Sequence, residues 1–148
     1  MISRIINFRG NSSYLLLGPR GVGKTQLLRE RFCDALYIDL LEDEKFNLLT
    51  SSTQRLEKLI EDSQKNQVVI DEVQKIPRIL DEVHRLIEKK KIQFILTGSS
   101  ARKLKRSGIN LLAGRAITKF MYPFTARELG DTYDFSKSLI NGFLDRKS

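Results

Sequence analysis

Residues Gly18 to Thr25 read G-P-R-G-V-G-K-T, and the spacing G-x-x-x-x-G-K-[ST] is that of a loop that cradles phosphate between a strand and a helix. The flanks agree with that placement. Upstream, Tyr14-Leu15-Leu16-Leu17 is a short apolar run of buried-strand type; downstream, Gln26 to Phe32 has helical spacing, with Leu27, Leu28 and Phe32 able to share a face. Glycines at 18, 21 and 23 let the backbone curl so that successive N–H groups converge on one anion. Pro19, Arg20 and Val22 fill the variable positions, and Arg20 is expected to be exposed. Lys24 can reach the β- and γ-phosphates, Thr25 can ligate Mg²⁺, and the helix adds its N-terminal dipole. An ordinary glycine-rich turn would not require the Lys-Thr pair or these flanks. The expected ligand is a nucleoside triphosphate.

A loop of this kind needs a sheet to carry it, and the rest of the chain supplies one. Strand-like segments at Tyr14–Leu17, Ala35–Leu40, Gln67–Ile70, Ile92–Thr97 and Ile117–Tyr122 alternate with helix-like segments at Lys24–Phe32, Thr53–Gln64, Arg78–Lys90 and Ala101–Leu112. Such alternation predicts an α/β sandwich around a mainly parallel sheet. The third helix is the clearest: Ile79, Leu80, Val83, Leu86 and Ile87 form one apolar stripe, and Pro77 precedes it. Gly108 is expected to end or break the fourth, and a helical turn is expected around Thr125–Leu129.

At 148 residues the chain has room for about one core. No apolar run approaches the length of a membrane span. Met1 to Asn7 lacks the apolar core and cleavage site of a secretory signal. The single cysteine, Cys33, suits a reducing compartment and is expected to be packed beside Phe32. Together these features predict a cytoplasmic protein. His84 lies among Asp81, Glu82 and Arg85 without a metal-ligand pattern and reads as a surface residue. The formal charge of +8 is uneven, because residues 89 to 127 contain no acidic side chain and ten basic ones. This basic stretch can face nucleic acid or an acidic partner, or can be a set of solvated helix faces. No aromatic residue interleaves the cluster at 102–106, which argues against a single-strand stacking platform.

Val68-Val69-Ile70-Asp71-Glu72 is an apolar strand ending in two carboxylates. Behind a phosphate loop, Asp71 would hold the Mg²⁺ shell and Glu72 would orient and activate the attacking water. A glutamate dedicated to water favours hydrolysis over transfer to an acceptor. Phe94-Ile95-Leu96-Thr97-Gly98-Ser99-Ser100 ends a further strand in hydroxyl residues. Thr97 or Ser99 would sense the γ-phosphate there, while Ser99 or Ser100 can cap the next helix. Arg115, in Leu111-Leu112-Ala113-Gly114-Arg115, can act as an arginine finger within the chain or across a subunit boundary, or can simply pack at the sheet edge or pair with a partner.

Four segments then appear in order: G-P-R-G-V-G-K-T-Q-L-L, V-V-I-D-E-V-Q-K-I-P, F-I-L-T-G-S-S-A-R-K-L and L-L-A-G-R-A-I-T-K-F-M-Y-P-F-T-A-R-E-L. Together they resemble the prokaryotic AAA+-type P-loop ATPases whose core is followed by a C-terminal domain of unknown function. The likeness spans roughly residues 13 to 130. It implies a three-layer sandwich with sheet order 5-1-4-3-2, ATP with Mg²⁺, and Walker A and Walker B roles for Gly18–Thr25 and for Asp71 and Glu72. It also implies a γ-phosphate sensor among residues 97 to 99. Arg115 matches the family's G-R element.

The family pattern continues well beyond Y-P-F-T-A-R-E-L, whereas this sequence has only residues 131 to 148 after it. The expected organisation is therefore an ATPase core over residues 1–130 and a tail over 131–148, the remnant of a lid or C-terminal domain. An Mg²⁺-ATPase completed by self-assembly or by a separate partner is one expected function. A nucleotide-binding or regulatory remnant with little catalysis is the other, and a small P-loop kinase is a weaker third.

Overall fold

A computed structural model describes residues 6–106 and 112–122. Five strands form one sheet: β1 (Ser13–Leu17), β2 (Leu36–Asp39), β3 (Gln67–Asp71), β4 (Gln93–Gly98) and β5 (Ala116–Phe120). Their order is β2-β3-β4-β1-β5, which is the expected 5-1-4-3-2 read from the other edge. Every pairing is parallel, with Tyr14 opposite Ile95, Val69 opposite Ile95, Ile38 opposite Ile70 and Leu17 opposite Phe120. The sheet is thus wholly parallel among the described residues. Each strand-to-strand connection crosses over a face, so all C-terminal strand ends share one edge.

Strand alternation divides the core in two. Tyr14, Leu16, Val69 and Ile95 point to one face, where they meet Leu27, Leu28 and Phe32 of α1 (Lys24–Arg31) and the residue following it. Leu15, Leu17, Val68, Ile70, Phe94 and Leu96 point to the other face. There they are covered by α2 (Asp43–Ser51), α3 (Arg55–Ser63), α4 (Ile79–Lys90) and α5 (Ala101–Arg106). The result is the three-layer α/β sandwich, with one α-helix on the phosphate-loop face and four opposite among the described residues. β4 is buried along its whole length because it is central and covered on both faces.

The elements depart from the sequence expectations in specific places. α2 has no counterpart in the periodicity, because Leu49 is its only fully buried residue and Phe46 packs only partly. The Arg78 guanidinium ties it down by donating to the carbonyl of Thr50. The predicted helix at 101–112 is helical over Ala101–Arg106, and Leu112–Gly114 forms a 3-10 turn instead. That turn opens with Leu112 at φ +61°, outside the right-handed helical region. Cys33 is exposed rather than packed, because the chain leaves α1 at Phe32, which takes the inward position and leaves its neighbour outside. His84 is a surface residue as expected, 3.9 Å from Glu88 one turn along α4. Gly108, the turn expected at Thr125–Leu129 and the tail at 131–148 lie outside the described residues.

The basic stretch divides among several elements. Lys90 sits 2.9 Å from Glu57 and 2.6 Å from Glu61, joining α4 to α3. Arg85 bonds Glu57 at 2.7 Å and also pairs with Glu82. Those cations hold the Glu57 carboxyl down to about 2, with the hydrogen bonds from Arg85 and Lys90 the main cause. Among the described residues no helix is long and apolar enough to cross a membrane.

Candidate nucleotide site

The phosphate loop runs from the end of β1 to the start of α1, so it lies at the edge where the strands end. Gly18 is fixed from two sides. Its N–H donates to the carbonyl of Gly98 at the tip of β4 (3.2 Å), and a Cβ there would lie 2.1 Å from the carbonyl oxygen of Met121. Gly23 occupies the N-cap of α1 at φ +93°, a conformation that a side chain would oppose.

Lys24 opens α1 on the same helical face as Leu28 and Phe32, which explains why a charged side chain is only 6% exposed. Its ammonium donates to the carbonyls of Gly18 (2.6 Å) and Pro19 (2.9 Å). An ammonium carries three N–H donors, and the third has no acceptor among the described residues. Burial holds Lys24 below the ordinary lysine range, while Glu72 and then Asp71 pull it back up. A buried cation with a spare donor at the head of a helix is a receptor for an anion.

Asp71 is the hub of the site. Its Oδ2 accepts the hydroxyls of Thr25 (2.7 Å) and Tyr37 (2.6 Å), and its Oδ1 accepts that of Thr97 (2.5 Å). Thr97 is fully buried and also accepts the Glu72 N–H at 2.9 Å. One hydroxyl thereby braces both carboxylate-bearing residues. Glu72 follows in the left-handed region (φ +67°, ψ +51°), a costly conformation for a large side chain and one that gathers at functional sites. Its carboxylate accepts from the Gln74 side-chain amide at 2.9 Å. Tyr37 is a site residue that the sequence reading missed. Burial, and next its bond to Asp71, push its phenol above the ordinary range, and the Arg29 guanidinium lies 3.9 Å from its ring centre.

The loop opens into a cleft of about 710 Å³ lined by Arg20, Lys24, Thr25, Arg29, Leu41 and Glu72 among others. That volume lies within the range that takes a nucleotide-sized ligand. Thr25 and Asp71 present hard oxygen donors next to each other, a set that suits Mg²⁺. No group of three or more His, Cys, Asp or Glu side chains forms a metal cage among the described residues, so an Mg²⁺ here would need phosphate oxygens and water as further ligands.

The expected site residues thus separate into two groups. Gly18 to Thr25, Asp71, Glu72, Thr97 and Ser99 come together at the strand ends. Arg115 does not join them. It precedes β5, where Ala116 pairs with Ser13, so it stands at the opposite sheet edge, about 15 Å away at roughly 3.3 Å per residue. There it pairs with Glu88 of α4, whose carboxyl it holds below the ordinary range. Of the two sensor candidates, Thr97 is committed to Asp71 and Glu72. Ser99 lies just beyond β4, half-buried, and its hydroxyl has no partner among the described residues. Ser100 accepts the N–H of Lys103 at 3.4 Å in the first turn of α5.

A parallel sheet in this order, with a phosphate loop after its β1 strand and paired carboxylates at the end of the strand two places away, defines a P-loop nucleotide-binding protein. The family model described as "AAA domain" matches residues 10–130, and the chain belongs to that family, carrying an AAA+-type P-loop ATPase core. Among solved structures it is similar to PCH-2 of C. elegans, at 20% identity and a TM-score of 0.46 over 78% of this chain and 35% of that one. It is also similar to a structure titled DNA replication initiation factor, at 15% identity and a TM-score of 0.43 over 93% of this chain and 50% of the other. The chain therefore spans about a third to a half of the length of these two structures. A comparison with curated proteins returned no match.

Proposed function

We propose that this protein binds ATP with Mg²⁺ in the cleft above the loop and hydrolyses the γ-phosphoryl bond. The observation that carries the proposal is the buried Lys24 ammonium, with one donor spare, beside the hydroxyl-braced pair Asp71 and Glu72. Backbone N–H groups of Arg20, Gly21, Val22, Gly23, Lys24 and Thr25 line the phosphates, while Pro19 has none to offer and Gly18 gives its own to the Gly98 carbonyl. Lys24 takes the β- and γ-oxygens. Thr25 and Asp71 would hold the metal, which would offset phosphate charge. Glu72 orients the water and accepts its proton, and Ser99 reads the γ-phosphate while Thr97 fixes the two carboxylates. Thr97 is accordingly a positioning residue rather than the sensor.

Arg115 acts, on this proposal, only across a boundary with a second copy, since its place on the sheet is far from its own loop. The same observation favours one second reading, a nucleotide-gated module that binds ATP and turns it over only after assembly with a partner. The single cysteine supports placing the protein in the reducing cytosol. Nucleic-acid contact through residues 89–127 has weaker support, because Lys90 and Arg115 are already paired with carboxylates.

Steady-state phosphate release with Mg²⁺ and ATP tests the proposal on the wild type, Lys24→Ala and Glu72→Gln. The proposal expects turnover by the wild type and loss of it in both variants. Turnover that survives in Glu72→Gln would refute the assigned base.

A further inference from the structure

Gln74 lies outside both the Asp71–Glu72 pair and the Thr97–Ser100 segment, yet its side chain joins them. It lies half-buried in the 3-10 turn (Val73–Lys75) that follows Glu72. Its side-chain NH₂ donates to Glu72 Oε1 at 2.9 Å, and its side-chain carbonyl accepts the Ser99 N–H at 3.3 Å. The two partners fix which end of the amide faces which way, since a carboxylate can only accept here and an N–H can only donate. The preceding residue, Gly98, accepts the Gly18 N–H from the phosphate loop through its carbonyl at 3.2 Å. A Cβ at Gly98 would lie 3.4 Å from the Gln74 side-chain oxygen, so the amide rests directly on the tip of β4. A continuous path results: loop N–H to Gly98, Ser99 N–H to Gln74, and Gln74 to the Glu72 carboxylate.

We propose that Gln74 is a positioning residue that holds the Glu72 carboxylate toward the phosphate loop and couples occupancy of that loop, through the tip of β4, to the aim of the base. Two observations set the direction of the effect. Glu72 lines the cleft, so the orientation Gln74 holds is one that faces the site. The bond uses only Oε1, which leaves Oε2 for a water. The left-handed backbone at Glu72 makes this support more necessary, because a residue in that conformation relies on its surroundings to stay there. The proposal rests on the hydrolase reading of the same site.

The test uses the full chain with Gln74→Met, which keeps length and removes both hydrogen bonds, and Gln74→Glu, which keeps an acceptor for Ser99 and sets a like charge against Glu72. ATP affinity is measured by titration, and turnover by single-turnover hydrolysis of labelled ATP. Both variants are expected to bind ATP within about 3-fold of wild type and to hydrolyse it about 10- to 100-fold more slowly, the rate equivalent of one hydrogen bond to a charged group. A rate within about 3-fold of wild type, a faster rate, or a loss confined to affinity overturns the proposal. Wild type that binds ATP without turnover refutes the hydrolase reading alone. Gln74 is then judged by NMR: movement of its side-chain NH₂ resonances on adding ATP supports the coupling, and their standing still overturns it. Wild type that binds no ATP overturns both.

Discussion

Replacing Gly18 by alanine tests whether the loop is anchored to the sheet as described. The added Cβ would sit 2.1 Å from the Met121 carbonyl oxygen, 3.1 Å from its carbon and 3.5 Å from its Cα. Ordinary contact begins near 3.4 Å, so the Met121 carbonyl must retreat by about 1 Å, a shift that backbone makes only by moving the strand. The Met121 N–H donates to the Leu17 carbonyl at 2.7 Å, and β5 is paired with β1 from Ser13↔Ala116 to Leu17↔Phe120. The retreat therefore strains or breaks the last bond of an edge strand. Overpacking costs about 1–3 kcal/mol, and one hydrogen bond adds about 1 kcal/mol, for an expected loss of about 2–4 kcal/mol. Gly21→Ala is the matched control. Gly21 has φ +81° and nothing within 4 Å of a new Cβ, so it carries only the left-handed penalty of about 1–2 kcal/mol. Equilibrium urea unfolding followed by circular dichroism compares the two. Gly18→Ala proving no less stable than Gly21→Ala would refute the close approach of β5 to the loop.

Three further outcomes follow from the site and its supports. Thr97→Val keeps the shape but leaves Asp71 without one donor and the buried Glu72 N–H without its acceptor; urea unfolding should show a loss of about 2–4 kcal/mol, with turnover falling further than ATP affinity. Arg115→Ala removes an exposed pair with Glu88, so stability should change by less than about 1 kcal/mol and ATP affinity by less than about 3-fold; a tenfold loss of affinity measured by titration would contradict its place at the far sheet edge. Glu57 ionises at about 2 in the folded chain against an ordinary 4.5. Its depressed value contributes stability that is fully present above pH 4.5 and lost as pH falls toward 2, so Glu57→Gln should flatten the acid limb of stability against pH between those limits.

Much of the architecture was legible because its signals are local. The loop from Gly18 to Thr25, the apolar strand into Asp71 and Glu72, and the stripe of α4 each announce themselves within a dozen residues. The missed features are those fixed by distant neighbours. Tyr37 reaches Asp71 from 34 residues away, and only the pairing of β2 with β3, with Asp39 opposite Asp71, brings the two together. A tyrosine two residues before the end of the strand neighbouring the carboxylates was the available signal. Thr97 and Ser99 are indistinguishable by type, but Thr97 lies within β4 and Ser99 beyond its end, and that boundary assigns their separate partners. Arg115 follows a glycine in a motif-like setting, yet its position before a strand parallel to β1 commits it to the far edge. α2 was hidden because a helix with one fully buried residue leaves almost no periodic trace.

On the proposed function, the buried Lys24 and its loop receive the phosphates of ATP. Isothermal titration of the purified chain with ATP, with and without Mg²⁺ and beside Lys24→Ala, tests it most directly. One site per chain is expected, tighter with Mg²⁺, and weakened by about 10- to 100-fold in Lys24→Ala, the scale of losing a charged hydrogen-bonded contact. Equal affinity in wild type and Lys24→Ala, or no binding by the wild type, would contradict it.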